Sequence, residues 1–206
     1  QSLAVSAAIA TGLAATTIAT GSGQAQAAEQ LSVQYDLYTR GIRAFALNYN
    51  AKLEPKSYSV KARLRPKGLA SLVVDLKMDM ESNGRITSQG TVPGGFSMDV
   101  NESGKRSNYA VNFKGLKPAN SRRKPDVNAQ TAAKIDAAAA DGVRDTLSSI
   151  VNMSLSTEAN PCNGSHRVYN GKEVFELSLT KIKDDTFQNK DGGVYRGPAI
   201  VCRMVY

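Results

Sequence analysis

Cys162, His166 and Cys202 are the side chains best suited to covalent or metal chemistry, and their number and spacing argue against both. His166 is the only histidine, so a His-rich metal site has no material and His-Glu-x-x-His spacing is absent. Cys162 lies close to His166, which invites a Cys–His nucleophile, but that chemistry needs a free thiolate. Two cysteines in an exported chain form a disulfide by default, and a bonded Cys162 has no thiolate to offer. The spacing fits no zinc pattern and no Cys-x-x-Cys redox motif. The loop between them is about 40 residues, for which the chain-entropy model gives roughly 4 kcal/mol. His166 then reads as a loop histidine.

Paired carboxylates are the other candidate chemistry. Asp184-Asp185 sits in a Lys/Asp-rich stretch that reads as a solvated loop, with Gly192-Gly193 as a turn beyond it. Asp75 and Asp79 fall on the outer face of a strand, among cations, where they are expected to be ion-paired and poor general acids. Gly-x-Ser-x-Gly is absent, and with it the nucleophile elbow of an α/β-hydrolase. A phosphate-cradling glycine loop is absent as well. The knot Arg122-Arg123-Lys124 is the densest basic run. Without an aromatic neighbour it does not suit nucleic acid, and it stands as a candidate contact for an anionic surface. No catalytic residue, metal or cofactor is expected.

These residues must be positioned by elements whose dominant period is two. Tyr58, Val60, Ala62 and Leu64 alternate with Ser57, Ser59, Lys61, Arg63 and Arg65. After a turn at Pro66-Lys67-Gly68, a strand carrying Leu72, Val74, Leu76, Met78 and Met80 is expected to pair with it. Cross-strand ion pairs would then set Lys61, Arg63 and Arg65 beside Asp75 and Asp79. Leu31 to Leu37 and Phe45 to Leu53 alternate similarly. Arg85 to Val92 is expected to end at a turn at Pro93-Gly94-Gly95. Phe96 to Val100 and Tyr109 to Phe113 flank a turn at Glu102-Ser103-Gly104-Lys105. The methionines Met78, Met80, Met98, Met153 and Met204 suit either an adaptable pocket or an ordinary core.

Lys117 to Asp126 reads as an exposed loop. Asn128 to Met153 is Ala-rich with helical spacing, expected as one helix or as two broken near Gly142. Val168-Tyr169, Asn170-Gly171 and Glu173 to Thr180 form a hairpin signal of type I′. Tyr195 to Tyr206 is the last strand and runs to the final residue. The fold expected is mainly β: a curled antiparallel sheet, barrel- or spiral-like, with one wet face, one dry face, one helix over about 128–153, and missing C-terminal strands.

The N-terminus supplies the address. The first charge is Glu29, and the uncharged stretch before it closes with Ala25-Gln26-Ala27. This is the apolar core and small-residue cleavage site of a secretory signal without its basic start. Thr11, Gly12, Thr16, Thr17, Thr20, Gly21 and Ser22 dilute it below a membrane span. Residues 1–27 are therefore expected to be a partial signal peptide, and 28–206 a single exported domain. The net charge of +8, with a pI near 9.5, lies entirely in that domain. It suits solubility, or anionic lipid or polysaccharide.

The order of several short motifs resembles an uncharacterised exported family of Gram-negative bacteria, domain of unknown function 3108. They are Tyr35-Asp36-Leu37-Tyr38 with Gly41-Ile42, then Tyr58 with Gly68-Leu69, then Asp145-Thr146-Leu147-Ser148-Ser149-Ile150. Cys162, Tyr169-Asn170-Gly171-Lys172 and Gly197-Pro198-Ala199-Ile200-Val201-Cys202 complete the series. The resemblance implies a periplasmic, mostly β protein bridged between Cys162 and Cys202, with Ala129 to Ala140 as an insertion and with further strands after Tyr206. It carries over no catalytic residue. The expected function is non-enzymatic support of the cell envelope by binding an envelope component (polymer, lipid or protein) through the curled sheet, with no nucleic-acid partner. The alternatives are a carrier or sensor of an apolar ligand such as a lipid, and a hydrolase of envelope polymers.

Overall fold

The computed structural model describes residues 5–9, 28–39, 42–156, 162–188 and 196–205. Strand β1 (Val5–Ile9) stands apart in sequence from the antiparallel meander that follows it. That meander consists of β2 (Glu29–Thr39), β3 (Ile42–Glu54), β4 (Ser57–Pro66), β5 (Leu76–Thr87), β6 (Gly90–Glu102), β7 (Lys105–Lys114) and β8 (Lys117–Lys124), each paired with the next. Helix α1 (Ala129–Ala139), the two-residue β9 (Arg144–Asp145) and helix α2 (Thr146–Ser154) come next, then β10 (Asn163–Tyr169), β11 (Val174–Gln188) and β12 (Arg196–Val205). The second sheet has the order β1-β12-β11-β10-β9 and curls as a half-barrel; only the β9–β10 pair is parallel. The protein is mainly β, as the alternation predicts.

The dry face of the meander is where α2 packs. Leu147 and Val151 of α2 join Tyr49, Tyr58, Val60, Met80, Phe96 and Met98 in the main core. Met80 and Met98 are thus core residues. A smaller cluster of Val111, Ala139, Val143 and Tyr169 joins α1 and β10 to the meander. Burial of side chains this size contributes roughly 1.5–3 kcal/mol each. Cys162 and Cys202 are bonded, with their Cα atoms 5.7 Å apart, which ties the start of β10 to β12.

Several expectations are corrected. The single helix over 128–153 is two. Gly142 adopts φ +96°, a left-handed value that ends the Ala-rich run, and Arg144-Asp145 then extends to pair with β10. The expected absence of C-terminal strands is overturned, because β11 and β12 pair over most of their length. Most of the loop expected over Lys117 to Asp126 is strand β8; its inward Ser121 and Arg123 are polar, so no hydrophobic alternation marks it. Pro93-Gly94-Gly95 lies inside β6 at a shift of register against Asn83 and Gly84, not at a turn. Asp184-Asp185 lies in β11 and His166, half-buried, in β10, rather than in loops.

Asn170-Gly171 does turn the chain, but through four residues. Tyr169 pairs with Val174, and the Asn170 side chain accepts from the backbone N–H groups of Lys172 and Glu173 at 2.9 Å each. Only Gly171 has positive φ there, so the turn is not type I′. Glu102-Ser103-Gly104-Lys105 is a turn, as its sequence predicts, and proves to be a two-residue hairpin with positive φ at both central residues. The strand expected from Leu72 starts at Leu76, because Gly68–Leu72 forms a 3-10 turn. Most of the N-terminal stretch, Gly41, Pro161, Gly192-Gly193, Tyr195 and Tyr206 lie outside the described residues.

Candidate functional site

Strand alternation splits the basic knot. Arg122 and Lys124 project to the wet face, while Arg123 points to the opposite side and is only 8% exposed. The Arg123 guanidinium donates to Asp136 at 2.6 Å, to the Tyr169 hydroxyl at 2.6 Å and to the Gly171 carbonyl at 2.9 Å. It holds α1 and β10 to the meander, so an anionic contact on this strand falls to Arg122 and Lys124. Cys162 and Cys202 are joined in the disulfide and His166 is on β10, so the three do not form a reactive group.

The dry face contains a polar cluster at the base of α2. Asp145 is fully buried and caps the helix, accepting from the N–H groups of Leu147 and Ser148 at 3.0 and 2.9 Å. Its other oxygen accepts from the hydroxyls of Ser148 and of Ser82, the latter at 3.1 Å. Ser148 is also hydrogen-bonded to the Tyr58 hydroxyl at 2.5 Å. Tyr58 reaches it by passing over Gly84, where a Cβ would stand 2.4 Å from the phenol oxygen. Burial pushes the Asp145 carboxyl above its ordinary value, against the hydrogen bonds from Ser148, Ser82 and Leu147. Burial likewise pushes the Tyr58 phenol up to about 12. Every polar group named here has a partner and none meets solvent, so the cluster fastens α2 to the sheet rather than serving a substrate. The segment Asp145-Thr146-Leu147-Ser148 thereby acquires a structural explanation.

The wet face is different. An open trough of about 500 Å³ crosses β4 to β8. Ser59, Gly95, Ser97 and Ala110 are small and form its floor, with Lys61, Glu81 and Arg122 as its walls. A second trough of about 560 Å³ continues towards the far end of the same face, with Arg65, Lys77, Arg106 and Lys124 over Asp79 and Asp99. Part of this charge is neutralised across strands. Lys61 meets Glu81 at 2.9 Å and Arg65 meets Asp79 at 2.7 Å, whereas Asp99 takes only a hydrogen bond from the neutral Asn108 amide, at 2.6 Å. Asp75 meets Lys77 at 3.4 Å rather than the β4 cations expected for it. Among the described residues, Arg106 and Arg122 have no carboxylate partner.

Asparagine recurs on this face. Asn48, Asn50, Asn83, Asn101, Asn108, Asn112 and Asn120 pair with wet-face neighbours in register. Each amide offers two donors and an acceptor. Such a surface can hydrogen-bond hydroxyls and amides, and its spare arginines can meet carboxylates or phosphates. The sequence reading missed it, although a signal was there. Asparagine is depleted in strands, and its return at wet-face positions of predicted strands calls for a reason outside folding.

Among the described residues no group of three or more His, Cys, Asp or Glu side chains is placed to hold a metal ion, and no helix is long and apolar enough to cross a membrane. No curated protein and no solved structure matches the chain. A family model does match, over residues 34–205. It covers both sheets apart from β1 and the start of β2, both helices, the bridged cysteines and both troughs of the wet face. On that match the chain belongs to the family described as protein of unknown function DUF3108.

Proposed function

We propose that the protein is a non-enzymatic periplasmic protein that supports the cell envelope by binding an envelope polymer along the wet face of its meander. The polymer chemistry that fits is a glycan bearing hydroxyl and amide groups together with carboxylate or phosphate. The observation that carries this reading is the pair of troughs with asparagines across the strands and unpaired Arg106 and Arg122. Small floor residues leave room for a chain to lie down, and the core on the opposite face of the meander, with α2 packed into it, backs the floor. The apolar-carrier reading draws less support, since α2 fills the dry face with Leu147 and Val151.

The test is retention of solubilised envelope polymer on the immobilised full chain. Ser97→Tyr fills the trough floor without touching the core. Retention by the native chain and its loss in Ser97→Tyr, with unchanged unfolding, is the expected result. Equal retention by both proteins, or co-purified lipid in place of polymer, would overturn the reading.

A further inference from the structure

We propose that the β4–β5 end of the meander is a docking tip for an anionic phospholipid bilayer. This does not rest on the trough reading: Leu69, Leu72, Val73, Lys67 and Lys105 line neither trough, and only Arg106 belongs to both. Leu69, Leu72 and Val73 are 71%, 80% and 85% exposed, all on or beside the 3-10 turn Gly68–Leu72, which buries none of its residues. The turn is ordered by its own bonds. Lys67 N–H donates to the Ala44 carbonyl at 2.9 Å, Ser71 hydroxyl to Gly68 carbonyl at 2.7 Å, and Val74 N–H to Ala70 carbonyl at 2.8 Å. Three large apolar side chains held in water by a fixed turn gain nothing for folding, and such clusters mark interaction surfaces.

The surroundings select the occupant. Tyr38 and Ile42, 50% and 54% exposed, lie at the β2–β3 end beside the turn, and tyrosine favours the membrane–water interface. Behind them stand Lys67, Lys105 and Arg106, none with a carboxylate partner among the described residues. The β6–β7 hairpin that carries two of these cations is tied to the tip by a bond from Ser103 N–H to the Asp75 carbonyl at 2.7 Å. An apolar point with a cationic collar combines the two terms of interfacial binding: apolar insertion and attraction to anionic headgroups. The second trough beside the turn is lined mainly by charged and polar side chains, so Leu69, Leu72 and Val73 have no apolar groove to fill there, and a single exposed apolar turn fits a deformable bilayer better than a folded partner. The opposite end of the meander carries Lys56, Lys114 and Lys117 without such a turn, which provides an internal control.

The test is flotation of the full chain with vesicles of phosphatidylethanolamine and phosphatidylglycerol, against vesicles of phosphatidylcholine alone. The native chain should float with the anionic vesicles, less so as salt is raised, and much less with the neutral ones. Leu69→Ser, Leu72→Ser and Val73→Ser together should lower the bound fraction about tenfold. Lys67→Glu, Lys105→Glu and Arg106→Glu together should do so comparably, at about tenfold. Lys56→Glu, Lys114→Glu and Lys117→Glu together should leave it unchanged, as should Ser97→Tyr. The proposal is overturned by no flotation with anionic vesicles, by native-like flotation of the apolar variant, or by equal loss on charge reversal at the opposite end. Self-association of the native chain without vesicles, abolished in the apolar variant, also overturns it, since a second copy would then cover the tip.

Discussion

Both faces of the seven-stranded meander carry polar side chains, and they use them in opposite ways. On the dry face, Asp145, Ser148, Ser82 and Tyr58 satisfy one another completely beneath α2. On the wet face, the asparagines and the spare arginines keep hydrogen-bonding capacity that folding does not consume. A buried polar group without a partner is costly, so a dry-face polar cluster must close on itself. An open face has no such constraint, and its uncommitted groups are where a ligand can be met. Functional residues on this fold are therefore sought where satisfaction is incomplete, not where polar side chains are most tightly gathered.

The contrast can be broken most forcefully at Asp145. Asp145→Ala removes a helix cap and strands the hydroxyls and N–H groups that it accepts from, and should cost about 2–4 kcal/mol. Denaturant unfolding checks this; a loss below about 0.5 kcal/mol, the level of a surface substitution, would mean that the cluster does not fasten α2. Next is Gly84→Ala. Its Cβ would meet the Tyr58 hydroxyl and the Val92 carbonyl, each at 2.4 Å, and overpacking of this kind costs about 1–3 kcal/mol. Pairing Gly84→Ala with Tyr58→Phe should recover part of that loss in a double-mutant cycle, since the hydroxyl contact is removed while the ring carbon at 2.7 Å and the Val92 carbonyl remain.

A smaller effect is the pH dependence of the same cluster. Asp145 in the folded chain binds its proton more tightly than an unfolded aspartate, because it is buried. Between the ordinary aspartate value, about 3.9, and that raised value, the folded state holds a proton that the unfolded state has released. Its contribution is thus fully present below the unfolded value and declines as pH rises through the folded one. Asp145→Asn should flatten this part of the stability profile. An identical slope in the two proteins would place the titrating group elsewhere. The smallest stability effect belongs to the wet face. Asn112→Ala with Asn120→Ala should leave stability within about 0.5 kcal/mol while lowering polymer retention. If instead the double variant unfolds early, the wet face is structural too and the contrast fails.

The meander was largely legible in the sequence. Tyr58, Val60 and Ala62 alternate with Ser59, Lys61 and Arg63, and the structure buries the first set and exposes the second. The Glu102-Ser103-Gly104-Lys105 turn was legible as a short polar break between two alternating segments, but its type was not. Strand β8 was hidden, since Arg123 faces inwards and no apolar period betrays it. Its burial depends on Asp136 and Tyr169, which arrive from elements distant in sequence. The division of the Ala-rich segment at Gly142 was legible as an option. Only the pairing of Arg144-Asp145 with β10, and the cap that Asp145 provides, decide it. The trough was not read at all, because a floor of small residues exists only once five strands lie side by side.

By itself the sequence determined a mainly β chain, an alternating meander with one apolar face, and two cysteines suited to one bridge. Period two and residue type suffice for these, because each strand's facing is set locally by the pleat. Tertiary structure alone decided that Arg123 is a tie and Arg122 a surface cation, that Asp145 is a buried cap, and that asparagines far apart in the chain share one open face. These are properties of registers between strands and of what packs against them. No local period encodes them, since the partners that settle each side chain come from elsewhere in the chain.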